Sequence, residues 1–277
     1  MRGKIWGCRG SLATPGPDTV RYGGNTSCVE LRMRDDTLII LDAGTGLRPL
    51  GVKRAHSMPS RIHILLTHLH MDHLEGLGFF APVWDPNIEL HVWGPPSPTH
   101  SLGERIERYF SPPLFPVQLS DVPSRPVFHD ADGAWEIGAA RVSACSISHS
   151  GPTVGYRIEE SGCALAYMPD HEPMRGKDPR TVEPEWLSGH EIAQGADILL
   201  HDSQYTAEEY EERVGWGHSS FEHVVAFGQV SAVERLIMFH HDPMHTDDEL
   251  DKKLAYARTL WGGDGPENAY EGMEFEL

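Results

Sequence analysis

A chain of 277 residues with 39% hydrophobic side chains has ample apolar material for a packed core, which excludes global disorder. Its 41 Asp and Glu against 23 Lys and Arg give a formal charge of −18 with no basic run to reverse it locally, so a large nucleic acid is a poor partner, while a small anion remains admissible beside a bound cation. Nowhere do 18 apolar residues run together, and the first residues lack the apolar centre of a signal peptide, so the expectation is a cytoplasmic chain without a membrane partner.

Short apolar or alternating runs predict strands at Lys4–Cys8, Ser27–Arg34, Thr37–Leu41, Arg61–Leu66 and Ile88–Val92. Gly94–Asp130 then carries eight prolines around one short helical patch, Leu102–Phe110. Proline at that density argues against regular sheet and for an ordered surface excursion, either a decorative loop or a substrate lid. Strands resume at Arg141–Ser148, Val154–Glu159, Ala164–Met168, Asp197–Leu200 and Arg235–Phe239. Helices are expected at Glu185–Gln194, Ala207–Arg213, Ser220–Val230 and Asp247–Leu260, the third with a cap candidate at Ser219-Ser220. This mixture reads as two sheets with helices outside them, in a single domain spanning residues 1–277. The four cysteines (Cys8, Cys28, Cys145, Cys163) form no C-x-x-C pair and read as thiols in a reducing compartment.

Seventeen histidines are the compositional outlier, and the run His68-Leu69-His70-Met71-Asp72-His73 concentrates four potential ligands. Ile62–Leu66 before it reads as a buried strand, and Leu74-Glu75-Gly76-Leu77 after it as a helix start. At such a junction His68 and His70 can face one ion, and Asp72 and His73 a second; imidazole with carboxylate suits zinc or a similar first-row metal. Two ions need more than four ligands, so others are expected at later strand ends. His149, Asp170 and His240 stand there.

The order H-x-H-x-D-H, then His, Asp and His, resembles the metallo-β-lactamase superfamily over nearly the whole chain. The resemblance implies an α/β fold of the αββα sandwich type. It also implies that His68, His70 and His149 hold one metal, that Asp72, His73 and His240 hold the other, and that Asp170 bridges them. Asp42, in Leu41-Asp42-Ala43-Gly44, would support the metal loop from behind. His241 competes with His240 for the last ligand position, and the match of Leu236–His240 favours His240. His70 stands where flavodiiron oxidoreductases typically carry Glu, and no cysteine takes a ligand position as in many true β-lactamases.

Gly217-His218-Ser219-Ser220 and Leu200-His201-Asp202-Ser203 resemble motifs of the tRNase Z and small phosphodiesterase branch. They imply His218 as general acid, oriented by Asp202; the alternative is that His218 only caps the following helix. The His149–Asp170 interval, 21 residues by subtraction, has no room for the RNA-gripping arm of a bacterial tRNase Z. Around Gly7–Ser11 and Arg21–Cys28 the sequence is similar to bacterial small phosphodiesterases. There Asn25 or Ser27 is a candidate to reach the site, and Arg9 and Arg21 are phosphate contacts or, by default, solvated side chains.

The expectation is therefore a dinuclear metal-dependent hydrolase, a phosphodiesterase for a small diester such as a cyclic nucleotide. Its cofactors would be two divalent ions, zinc first, with manganese or iron open. Asp170 would hold the attacking water between them and His218 would protonate the leaving oxygen. A thioester or lactone hydrolase of the glyoxalase II kind uses nearly the same ligands without needing His218. A metal-bound nucleotide sensor without catalysis is a third reading, and a homodimer is left open.

Overall fold

The run Leu38-Ile39-Ile40-Leu41 is apolar at every position because both faces of its strand are covered. Ile39 and Leu41 pack between two sheets, whereas Leu38 and Ile40 pack beneath outer segments. Late in the chain Arg235–Phe239 divides the same way, with Ile237 and Phe239 inward and Leu236 and Met238 outward. The computed structural model describes residues 1–263 and 265–277.

The first sheet contains β1 (Arg2–Gly7), β2 (Cys28–Arg32), β3 (Leu38–Leu41), β4 (Arg61–Leu65), β5 (Glu89–Gly94) and β6 (Val127–Asp130). The second contains β7 (Gly133–Ile137), β8 (Ala140–Ser146), β9 (Val154–Glu160), β10 (Cys163–Met168), β11 (Ile198–Asp202), β12 (Arg235–Phe239) and β13 (Glu267–Asn268). A last strand, β14 (Glu274–Glu276), returns to the first sheet, giving the order β14-β1-β2-β3-β4-β5-β6 against β13-β12-β11-β10-β9-β8-β7. Strands β3 to β6 run parallel, as do β10 to β13. Each parallel half therefore delivers its carboxyl ends to one edge, where α/β folds place their sites.

Helices α1 (Leu47–Arg54) and α2 (Leu102–Glu107) bury Leu47, Leu50, Leu102 and Ile106 on the outer face of the first sheet. On the second sheet's outer face lie α3 (His190–Ala193), α5 (Phe221–Val230) and α6 (Asp247–Trp261), with α4 (Ala207–Glu211) in the connection after β11. The result is an αββα sandwich. Ser220 caps α5 by accepting from His223 N, and Thr246 with Glu249 forms a reciprocal capping box on α6.

Several expectations are corrected. The Pro-rich segment ends in a regular strand, β6, because its last proline, Pro126, precedes the strand and β6 occupies an edge. The expected helix Glu185–Gln194 shrinks to α3, since Gly189 adopts φ 71° and breaks it. The chain makes 3-10 turns at the end of the histidine run, Met71–His73, and after it, Leu77–Phe79, in place of an α-helix. Helix α1 and strands β7, β13 and β14 were not expected; β7 is largely exposed and β13 has two residues, so neither carries a clear apolar alternation.

Candidate metal centre

The candidate metal-centre ligands and Asp202 leave the carboxyl ends of strands. Asp42 follows β3, the histidine run follows β4, His149 follows β8, Asp170 follows β10, Asp202 closes β11 and His240 follows β12. Asp42 and His240 turn out of their strands with φ 58° and 59°. Such left-handed backbone costs a non-glycine residue on the order of 1–3 kcal/mol and persists only where surrounding contacts enforce it.

Two groups of donors converge. Ligand atoms of His68, His70, His149 and Asp170 lie within 4.8 Å of one another, and so do those of Asp72, His73, Asp170 and His240. Asp170 is shared. Its Oδ2 is 3.8 Å from His68 Nε2 and 3.7 Å from His149 Nε2, while its Oδ1 is 2.9 Å from His73 Nε2 and 3.2 Å from His240 Nε2. Asp72 Oδ2 lies 3.2 Å from both His73 Nε2 and His240 Nε2 and accepts the Ser11 amide at 2.8 Å. His241 points elsewhere, with Nε2 against Ala269 O at 2.9 Å, so His240 is the residue of this pair that enters the cluster.

The imidazoles are oriented from behind. His73 Nδ1 meets Asp42 Oδ2 at 2.9 Å, His149 Nδ1 meets Gly217 O at 2.7 Å, His240 Nδ1 meets Gln204 Oε1 at 3.1 Å and His68 Nδ1 meets Thr67 Oγ at 3.1 Å. An acceptor at Nδ1 assigns the proton there and directs Nε2 into the cluster as a donor to metal. Asp42 is wholly buried and also accepts from Thr67 N at 2.7 Å and from the Tyr167 hydroxyl at 2.9 Å.

The donor set fits divalent cations. His68 Nε2 is buried with no hydrogen-bond partner, and so is Asp170 Oδ1 despite its close imidazole neighbours. Buried polar atoms left without a partner inside such a donor group are what a cation between them would satisfy. Burial, then the charge of His73, holds the His68 imidazole well below its usual range. Burial opposes charge on His73, but Asp170, Asp72 and Asp42 outweigh it and raise that imidazole well above its usual range. Against their own burial, Asp72 and Asp170 are held low by the surrounding histidines.

Beside both groups stands His218. Its Nδ1 is 2.7 Å from Asp202 Oδ2, and its ring centroid lies 5.0 Å from that of His149 and 5.2 Å from that of His240. Burial works against its charge, yet Asp202 prevails and raises its pKa to about 9. The helix cap belongs to Ser220, not to His218.

Other expected contacts do not form. Arg9 is fully buried and donates to Gly23 O, Asp242 O, His245 O and Asp247, so it is a structural clamp and not a solvated side chain. Arg21 pairs with Asp248 and Asp251, and Asn25 bonds Glu271. Ser27 is buried with its carbonyl on Gly44 N. Sequence reasoning missed Gln204 and the Gly217 carbonyl. Gln204, two residues beyond Asp202 at a strand end, was discoverable by position; a backbone carbonyl leaves no trace in residue type.

Residues 37–241 match the Beta-lactamase superfamily domain. The chain belongs to the metallo-β-lactamase superfamily and is of its metal-dependent hydrolase kind. It is similar to the Ribonuclease Z of Myxococcus xanthus (strain DK1622), 24% identical over 91% of this chain and 92% of that one. Its fold resembles a diphosphatase from the PhnP family, with TM-score 0.70 and 18% identity over 100% of this chain and 97% of the other. It also resembles Zn(2+)-bound PqqB from Methylobacterium extorquens, with TM-score 0.70 and 19% identity over 100% of both chains. Among the described residues no helix is long and apolar enough to cross a membrane.

Proposed function

We propose that the protein is a two-metal phosphodiesterase acting on a small phosphodiester such as a cyclic nucleotide. His68, His70 and His149 would hold one ion, Asp72, His73 and His240 the other, with Asp170 between them; the imidazole and carboxylate donors favour zinc. When bound, such ions supply the charge that activates water and neutralises a phosphoryl oxygen.

The observation that carries the reading is the His218–Asp202 pair at the border of both ligand groups. An alkoxide leaves poorly unless it is protonated, and His218, held by its carboxylate partner beside both ligand groups, is placed to do so. A thioester releases a good leaving group and gives this pair no task. Asp202 fixes the ring by its Nδ1, which leaves Nε2 as the proton-delivering atom.

The likeness to a ribonuclease favours a second reading, cleavage of an RNA phosphodiester. Two features weigh for the smaller substrate: the charge of −18 and the plain hairpin of β9 and β10 that fills the interval between His149 and Asp170.

The test is hydrolysis by metal-quantified protein of bis(p-nitrophenyl) phosphate, 2′,3′- and 3′,5′-cyclic nucleotides, a 3′-extended structured RNA and S-lactoylglutathione, with Asp72→Ala as control. Turnover of the small diesters, absent in the control, is expected. Turnover confined to RNA or to the thioester would replace the reading. His218→Ala is expected to retain both metals and lose about 100-fold or more in kcat on substrates with alkoxide leaving groups.

A further inference from the structure

The segment that leads into His218 carries an aromatic side chain which the reaction above leaves unused. Trp216 is 61% exposed. Its neighbours Gly215 and Gly217 sit at φ 87° and 89°, and both of their amides donate to one buried carboxylate. Gly215 N reaches Glu172 Oε1 at 2.9 Å and Gly217 N reaches Oε2 at 3.1 Å, while the Tyr210 hydroxyl adds a bond to Oε1 at 2.6 Å. Trp216 N itself donates to Arg213 O at 3.0 Å, and the Gly217 carbonyl is the one that orients His149. The backbone of Trp216 is thus fastened on both sides to the frame of the metal centre, while its indole is left in water.

A single exposed tryptophan is ordinary; one held this firmly two residues from a proton donor calls for a use. The side chains around it form a strip. The Arg213 guanidinium carbon lies 6.0 Å from the Trp216 ring and 5.1 Å from the Tyr205 ring, and the Tyr205 ring is 5.8 Å from that of His218. A flat π-face with a cation beside it is the surface on which nucleobases stack. Two residues of chain span at most about 7 Å, comparable with a ribose reaching from phosphate to base.

We infer that Trp216, with Arg213 beside it, is the platform for the base of a nucleotide substrate. The inference rests on the phosphodiesterase reading and specifies its substrate class: esters bearing a planar heterocycle over aliphatic ones. Glu172 acts through the loop, as the residue that positions the platform.

Calorimetric titration of the fully metallated protein with AMP and with ribose 5-phosphate, which share a phosphate and differ by the base, tests it. The wild type is expected to bind AMP about ten-fold more tightly. Trp216→Ala should bring AMP to the level of ribose 5-phosphate while moving ribose 5-phosphate less than about two-fold, and Trp216→Phe should retain most of the preference. Equal affinities in the wild type, or equal weakening of both ligands in Trp216→Ala, would overturn the platform. Failure of the metallated wild type to hydrolyse any diester of the panel is a separate result; it removes the phosphodiesterase reading and the platform with it.

Discussion

At His240 the side chain leaves a left-handed backbone and donates from Nδ1 to Gln204 Oε1 at 3.1 Å. The Gln204 amide is held in turn, with Nε2 3.2 Å from Asp242 Oδ2 and 3.3 Å from Ser11 Oγ. Ser11 supplies the backbone amide that fixes Asp72, so one small network sets two members of the same donor group. Gln204→Leu removes the acceptor without opening space. It is expected to weaken one of two bound ions about 10- to 100-fold, as loss of such a supporting contact generally does. Competition against a chelating dye reads this as one weakened site beside one unchanged site.

Among the elements, the turn Gly215–Gly217 separates backbone strain from clash. Both glycines are left-handed, but a Cβ on Gly215 would meet nothing within 4 Å, whereas one on Gly217 would lie 2.5 Å from His149 Nδ1. Gly215→Ala should therefore cost only the strain, about 1–3 kcal/mol of unfolding free energy, and keep its full metal content. Gly217→Ala should cost more than that and also displace His149, seen as a metal stoichiometry falling from two towards one. Denaturant unfolding and metal analysis of the two variants side by side make the comparison.

Across the molecule, the two donor groups join the two sheets. His68, His70, Asp72 and His73 come from the first sheet, His149, Asp170 and His240 from the second, and each donor group mixes both. Ions held there would tie the sandwich together at its edge and offset part of a charge of −18. A ligand at about 1,000 times its Kd stabilises by about 4 kcal/mol, so removing the ions with a chelator should lower Tm by roughly 10 °C. Readdition of zinc should restore it, and Asp170→Asn, which serves both groups, should blunt the response.

The sequence by itself determined the strands that are buried on both faces, such as β3 and β12, because continuous apolar runs admit few other placements. It determined too which residue types crowd the strand ends, because ligands must be His or carboxylate and their order survives in the chain. Tertiary structure decided the rest. It chose His240 over His241 by turning one backbone residue to positive φ, and it withdrew Arg9 from any substrate by burying it against carbonyls. It alone brought Gln204, the Gly217 carbonyl and the Glu172-bound turn to the metal centre. Those contacts join residues far apart in the chain, and the backbone groups among them occur in every sequence, so residue type does not announce the pairing even where position, as at Gln204, hints at it.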